Sequence, residues 1–250
     1  MEKDQNNIIE TLAEGDYKYG FTSDIDTESV YAEGQFDLVR RDIQPSEFWK
    51  NPCNAQRVQA FVTLESDTNT DALMVANRGL CEYEVLRDGR NTLAVTLLRA
   101  SGEIGDWGVF PTPLGQKLGT WTLEYSMIPY ATDSRAAAYA EGYTFAYPAA
   151  VAIGTPKHDG ALPAAADYVA FDSEYIRMTA LKKAEERDTA ILRFFNTHTE
   201  AVTLTAEISP AFKSARLTNL DEAVQSELAL TDGKLVMEIP AKKIITVELA

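Results

Sequence analysis

The sequence predicts an all-β protein made of antiparallel sandwiches, because of its hydrophobic period, its hairpin turns and its many short apolar runs. Apolar and polar residues alternate at every second position in 57–65, 120–127, 202–208 and 235–239. A strand with one buried face produces a period of two, whereas an amphipathic helix repeats about every 3.6 residues. In 120–127 the alternation predicts a buried face that includes Trp121, Leu123, Tyr125 and Met127.

Two Asp-Gly pairs predict hairpins. Asp88-Gly89 and Asp232-Gly233 each lie between two apolar runs. A type I′ turn needs positive φ at both central residues, and Asp-Gly meets that need at low cost. Many short strands joined by such turns are typical of sandwiches and barrels.

One short helix is predicted over 134–141. Asp133 is suited to cap its first turn, and Gly142 is suited to end it. The segment is rich in alanine, and we expect it to pack on the edge of a sheet.

The chain is predicted to form two domains. Residues 1–150 form a large antiparallel, supersandwich-like β-sandwich, residues 151–167 form a linker punctuated by proline and glycine, and residues 168–250 form a small immunoglobulin-like β-sandwich. The last assignment depends on seven short strands predicted near 175–182, 189–195, 201–208, 214–219, 225–230, 234–239 and 243–249.

The composition argues against several classes of partner. The 250 residues include 38 Asp and Glu against 23 Lys and Arg, a net charge of -15. That charge repels nucleic acid and anionic lipid, and no apolar run approaches the roughly 20 residues that span a bilayer. The first residues have neither a basic region nor an apolar one, so we expect no secretory leader. Cys53 and Cys81 do not form a disulfide framework, and we expect a cytoplasmic protein with reduced thiols.

The residues show no self-contained active site. His158 and His198 have no His or Cys at ligand spacing, which favours two loop histidines over a metal site. No nucleophile elbow is present, and the glycine-rich stretch 102–108 lacks the lysine of a phosphate-binding loop. We therefore predict no catalytic residue and no metal ligand in this chain.

Two stretches, 31–37 and 104–113, combine polar and aromatic residues where loops are expected. In the second stretch Trp107 follows Asp106 between glycines. A ring beside a carboxylate suits sugar recognition, but a Trp that plugs the end of a sandwich gives the same pattern and is the favoured interpretation.

An ordered series of motifs resembles the C-terminal β region of bacterial glycoside hydrolase family 38 α-mannosidases. The resemblance covers roughly residues 17–250. Its segments are 30–37, 49–52, 59–62, 77–85, 93–99, 105–107, 111–113 with Gln116, 176–185 and 193–196.

The resemblance implies a retaining glycosidase with an aspartate nucleophile and a zinc ion, both in an N-terminal α/β barrel that this chain does not match. The chain is then the non-catalytic C-terminal part, without a cofactor of its own, and zinc is expected in the absent catalytic domain. Retaining hydrolysis needs two carboxyl groups about 5 Å apart, so we expect this part alone to be inactive. The implied partners are an α-mannoside and the enzyme's own catalytic domain, and because family members often assemble, homo-oligomers are also considered.

Loops of the family's first large β domain come near the catalytic cleft, which makes some residues here candidates for substrate binding. The matching positions are Asn77, Arg78, Arg99, Asp106 and Trp107. Each arginine could hold sugar hydroxyls or a carboxylate through its donor fork, or could form a salt bridge that ties strands together. Two other functions stay open: a stand-alone carbohydrate-binding module, and a structural module with an apolar patch on one face.

Overall fold

The structure is a computed structural model that describes residues 15–48, 54–105, 110–116, 119–154, 160 and 163–250. It is built mostly of antiparallel strands, with one α-helix in the described ranges, and this confirms the predicted all-β class. The chain divides into two compact units at the junction of Ala149 and Ala150. Within the residues that the structure describes, no helix is long and apolar enough to cross a membrane.

The N-terminal unit contains strands β1 to β11 and helix α1. Their bounds are β1 Gly15–Phe21, β2 Ser29–Gly34, β3 Asp37–Asp42, β4 Gln56–Arg57, β5 Phe61–Glu65, β6 Asp71–Asn77, β7 Glu82–Leu86, β8 Thr92–Ala100, β9 Glu103–Ile104, β10 Phe110–Pro111, β11 Tyr125–Ala131 and α1 Arg135–Ala146. Short 3-10 turns occupy Pro113–Gln116 and Thr132–Ser134.

Two sheets and the helix form three layers in this unit. The four-stranded sheet has the order β1-β8-β7-β4, and the five-stranded sheet has the order β11-β6-β5-β2-β3. Val62, Leu64, Leu93 and Val95 are among the buried residues of the core formed by these strands. A second core, which includes Phe61 and Met74, lies between the five-stranded sheet and α1.

Strand β5 is buried at all five positions, which departs from the alternation predicted for 57–65. Its two faces meet different neighbours: Val62 and Leu64 belong to the core between the sheets, and Phe61 belongs to the core beneath α1. A central strand that is covered on both faces has no solvated face, so its sequence need not alternate between apolar and polar residues. Thr63 and Glu65 are polar but buried, and their side chains are satisfied by hydrogen bonds beneath the helix.

Helix α1 is longer than predicted and does not end at Gly142. It begins at Arg135, continues to Ala146, has no side-chain cap, and packs on the face of a sheet rather than on an edge. A Cβ atom at position 142 would lie 2.7 Å from Met74 Sδ and 2.9 Å from the Phe61 ring. The glycine therefore permits close approach of helix and sheet, and does not act as a terminator.

The predicted buried face of 120–127 is wrong. Strand β11 begins only at Tyr125, and the exposed fractions of Trp121, Leu123, Tyr125 and Met127 are 46, 37, 37 and 58%. The reason is that β11 is an edge strand of its sheet and β1 is an edge strand of the facing one. Tyr125 is the residue of this set whose ring is shown to contact the opposite sheet, through two rings of β1.

The C-terminal unit is a sandwich of a four-stranded sheet, β12-β15-β19-β18, and a five-stranded sheet, β13-β14-β20-β16-β17. Residues such as Phe194, Leu204, Leu235 and Val247 fill its core. Seven of the strands agree with the predicted series to within a few residues: β13 Ile176–Lys183, β14 Ala190–Asn196, β15 Val202–Ile208, β16 Ala215–Thr218, β17 Val224–Leu228, β19 Lys234–Ile239 and β20 Ile244–Leu249. The short strands β12 Val169–Phe171 and β18 Leu230–Thr231 were not predicted separately.

The two predicted hairpins differ in their turns. Asp232 and Gly233 both have positive φ, 50° and 74°, as a type I′ turn requires. In the other hairpin Leu86 pairs with Thr92, so five residues form the loop, and Asp88 does not have positive φ. The Asp88 carboxylate instead accepts hydrogen bonds from Arg90 N and the Thr92 hydroxyl, which fixes the longer loop.

Candidate functional site

Asn77 ends strand β6 and shapes the turn that follows it. Its side chain is 1% exposed, and its Oδ1 accepts a hydrogen bond of 3.0 Å from Leu80 N across that turn. Gly79 inside the turn has φ +76°, a conformation that glycine adopts readily. The amide Nδ2 has no hydrogen-bond partner among the described residues. The structure therefore shows that Asn77 stabilises the turn after β6, and its contact with a sugar stays a prediction.

Arg78 holds the C-terminal end of α1. Its Nε donates to the Phe145 carbonyl at 2.7 Å, its Nη1 donates to the Glu124 carboxylate at 2.9 Å, and its guanidinium lies 4.5 Å from the centre of the Phe145 ring. Carbonyl oxygens at a helix C-terminus lack intrahelical donors, so a cation there is favourable. The contacts agree with the interpretation of Arg78 as a tie between elements.

Arg99 lies on β8, in the other sheet of the unit, and contacts the neighbouring strand. Its Nη2 is 2.7 Å from Glu82 Oε1, which also accepts a hydrogen bond from the Thr96 hydroxyl. This pair links β8 to β7. Arg99 therefore belongs to a different sheet from Asn77, the last residue of β6.

Asp106 and Trp107 lie outside the described residues, so their proposed contact with a sugar stays a prediction. The structure describes both flanks of this stretch, where β9 pairs with β10. Ile104 and Phe110, at the two sides of that hairpin, are 59 and 54% exposed.

Two glutamates that sequence reasoning did not single out individually are buried in the N-terminal unit. Glu33 is 4% exposed, its Oε2 accepts from Ala60 N at 2.9 Å, and its Oε1 accepts from the Tyr143 hydroxyl of α1 at 3.3 Å. Burial raises the pKa of Glu33 to about 7, and the two hydrogen bonds act in the opposite direction. Burial therefore favours the protonated form of this carboxyl.

Glu65 is 5% exposed and is surrounded by donors. Its Oε1 accepts from the Tyr130 hydroxyl at 2.6 Å, from Arg135 Nε at 2.8 Å and from the Tyr139 hydroxyl at 3.0 Å, and its Oε2 accepts from Arg135 Nη2. Burial raises the pKa of both tyrosines well above the ordinary value. Glu33 and Glu65 are both buried, so neither can reach a glycosidic bond, and both serve the attachment of α1.

The N-terminal unit also has a cleft of about 370 Å³ beside β3, β4 and β7. Two arginines line it. Arg41 Nη1 donates to the Tyr83 hydroxyl at 3.2 Å, and Arg87 Nη2 donates to Asn54 Oδ1 at 2.6 Å. Tyr83 is 1% exposed, and burial raises the pKa of its hydroxyl. Nothing in the sequence pattern brings 41, 54 and the segment 83–87 together, because they come from three separate parts of the chain.

The described residues include no group of three His, Cys, Asp or Glu side chains that could hold a metal ion. His198 lies in a loop, 4.4 Å from the Tyr175 ring between centroids, and its Nδ1 accepts from Glu200 N. Cys81 is a free, exposed thiol. His158 and Cys53 lie outside the described residues.

Comparison with known proteins identifies the kind of region to which these units correspond. Residues 175–247 match the family model described as the glycosyl hydrolases family 38 C-terminal beta sandwich domain. Over these residues the C-terminal unit is therefore similar to the C-terminal β-sandwich domain of glycoside hydrolase family 38.

Relatives of the family 38 region extend this likeness to most of the chain. A protein from Halalkalibacterium halodurans, named as a candidate mannosylglycerate hydrolase, is 32% identical over 219 residues, which are 86% of this chain and 23% of that protein. An alpha-mannosidase from Enterococcus faecalis V583 has a TM-score of 0.77 at 29% identity and covers 93% of this chain. The ordered motifs thus predicted the family correctly.

A second Enterococcus faecalis structure, titled as a protein in the glycosyl hydrolase family 38, has a TM-score of 0.74 at 29% identity over 93% of this chain. The chain spans about a quarter of each relative: 23% of the Halalkalibacterium protein and 25 and 26% of the two Enterococcus chains. Most of each relative therefore lies outside the part that corresponds to this chain.

Proposed function

We propose that the chain is the non-catalytic C-terminal β region of an enzyme that hydrolyses α-mannosides with retention. In this proposal a catalytic domain outside the chain supplies the nucleophile, the acid and the zinc ion, and the β region supports that domain. The similarity to an alpha-mannosidase and to family 38 proteins that are about four times longer supports this division of labour.

The observation that carries the proposal is the apolar row formed by Trp121, Leu123, Tyr125 and Met127. All four side chains are at least 37% exposed, and they follow one another at every second position. Tyr125 stacks on Tyr19 of β1, which is itself 50% exposed, at 5.5 Å between ring centroids. Several large exposed apolar side chains within one short segment are typical of an interface. We assign the catalytic domain of the same enzyme as its occupant.

We expect the purified chain to show no hydrolysis of 4-nitrophenyl α-mannoside, with or without added zinc. The two buried glutamates of the N-terminal unit already have protein donors, and no catalytic carboxyl pair is assigned to this chain. Release of 4-nitrophenolate measures the rate, and an intact α-mannosidase serves as the positive control. Zinc-dependent turnover by the pure chain, removed by a chelator, would refute the proposal.

A further inference from the structure

The cleft beside β3, β4 and β7 has the size and lining of a small-ligand site. Its volume of about 370 Å³ falls within the range that small-molecule pockets occupy. Val30, Tyr83 and Val85 give it an apolar part, and Tyr83 and Val30 are almost fully buried. A cleft with an apolar floor and a few polar groups suits a molecule with a carbon skeleton.

The two arginines of the cleft are held by hydrogen bonds to neutral groups, and no carboxylate among the described residues neutralises their charge. Arg41 Nη1 donates to the Tyr83 hydroxyl and, at 3.5 Å, to the Arg57 carbonyl, whereas Arg87 donates to Asn54 Oδ1 and, at 3.4 Å, to the Ile43 carbonyl. All four acceptors are neutral. Neither guanidinium has a salt-bridge carboxylate in the described part of the chain, although acidic residues outnumber basic ones by 38 to 23.

Other arginines of the same unit show the contrast. Arg40, Arg90 and Arg135 each form a salt bridge with a carboxylate. Asp42 also lines the cleft, but its carboxylate is 70% exposed and pairs with Arg40 at 3.0 Å. Because a guanidinium has five N–H donors and one or two of them are used here, Arg41 and Arg87 keep donors for an oxyanion.

The surroundings of these donors indicate the class of anion. Asn54, Ser46 and Gln44 line the same cleft and supply neutral groups that can exchange hydrogen bonds with hydroxyls. A net charge of -15 disfavours polyanions through long-range repulsion, but acts weakly on a small monoanion. We propose that the Arg41–Arg87 cleft binds a small hydroxylated carboxylate of sugar-acid size.

The proposal is tested on the full chain by calorimetric titration with gluconate and, as a neutral analogue of the same size, sorbitol. We expect gluconate to bind in the millimolar range, and Arg41→Gln and Arg87→Gln each to weaken it about tenfold, the loss expected for one charge-assisted contact. Sorbitol is expected to give no measurable heat of binding. Equal binding of sorbitol and gluconate, or no gluconate binding, would overturn the proposal.

Two further measurements distinguish a specific binding site from a general attraction of anions. Arg90→Gln removes the same charge from an arginine of the same unit that does not line the cleft and pairs with Asp24, so gluconate binding should change less than twofold. An equal loss in Arg90→Gln and Arg41→Gln would contradict a specific site. Inorganic phosphate should bind more weakly than gluconate, because it cannot use the apolar floor, and tighter phosphate binding would overturn the assignment to a carboxylate. Unchanged tryptophan fluorescence in each variant confirms that the N-terminal unit is folded.

Discussion

Replacement of Arg135 by Met is expected to lower the free energy of unfolding of the N-terminal unit by about 3 kcal/mol. The substitution leaves the Glu65 carboxylate buried with only the hydroxyls of Tyr130 and Tyr139 as donors. A buried charge that loses its ionic partner costs several kcal/mol, and the lower end of that range applies because the Arg135 side chain is 47% exposed. The loss falls on the attachment of α1, since Arg135 and Tyr139 both belong to that helix.

Urea unfolding followed by tryptophan fluorescence measures this effect selectively, because all three tryptophans lie before residue 150. Arg40→Met is the matched control: its ion pair with Asp42 is exposed on both sides and should be worth less than 1 kcal/mol. The double variant Glu65→Met/Arg135→Met should lose less than Arg135→Met alone, since no buried charge remains. A loss in Arg135→Met as small as that in Arg40→Met would show that Glu65 does not depend on its cation.

Glu33 is expected to make the N-terminal unit less stable as the pH rises from about 4.5 to about 7. Burial raises the pKa of Glu33 from 4.5 to about 7, so between these values the folded state keeps a proton that the unfolded state has released. The unfolding free energy therefore falls across this interval and becomes constant above it. At about 1.4 kcal/mol per pH unit the change amounts to about 3 kcal/mol.

Glu33→Gln keeps the shape of the side chain and removes the titration. We expect the variant to lose this slope and to be more stable than the parent above pH 7, with little difference near pH 4.5. Urea midpoints by tryptophan fluorescence at a series of pH values give the two profiles. Glu28→Gln, at an exposed position of the same unit, should follow the parent. Parallel profiles for Glu33→Gln and the parent would contradict the protonated, buried state of Glu33.

Periodicity predicted strands well wherever one face of a strand is buried and the other is solvated. Val202–Ile208 is such a strand, and it was correctly predicted from its alternation. The same reasoning failed in two opposite circumstances: β5 is buried at all five positions, and the four alternating apolar residues that begin at Trp121 are each at least 37% exposed. Alternation reports which side chains share a face, but what lies against that face depends on distant segments.

The turns and the end of the helix also show that local sequence does not report contacts with distant segments. Asp232-Gly233 took the predicted turn because the local φ requirement decides it, whereas the loop around Asp88 is fixed by side-chain hydrogen bonds that no dipeptide rule contains. Gly142 reads locally as a helix end, yet it lies inside α1 because Phe61 and Met74 of the sheet approach it closely.

The candidate site was harder to predict than the fold. Arg78 and Arg99 were chosen by resemblance, and the structure shows both in ion pairs that link elements of the fold. Arg41 and Arg87 carry no local signal, because what distinguishes them is a missing carboxylate and a shared cleft. Glu33 is likewise ordinary in sequence and becomes unusual only when α1 covers it.

Complementation tests the central claim, that this chain supports a catalytic domain through its apolar row, most directly. The Halalkalibacterium halodurans relative would be prepared without the segment that matches this chain. Hydrolysis of an α-mannoside would then be measured for this truncated relative by itself, for the truncated relative with its own segment added, and for the truncated relative with this chain added. We expect this chain to restore turnover as the relative's own segment does, and its Leu123→Asp/Met127→Asp variant not to do so. Turnover that the relative's segment restores and this chain leaves unchanged, or that both forms of the chain restore equally, would contradict the account.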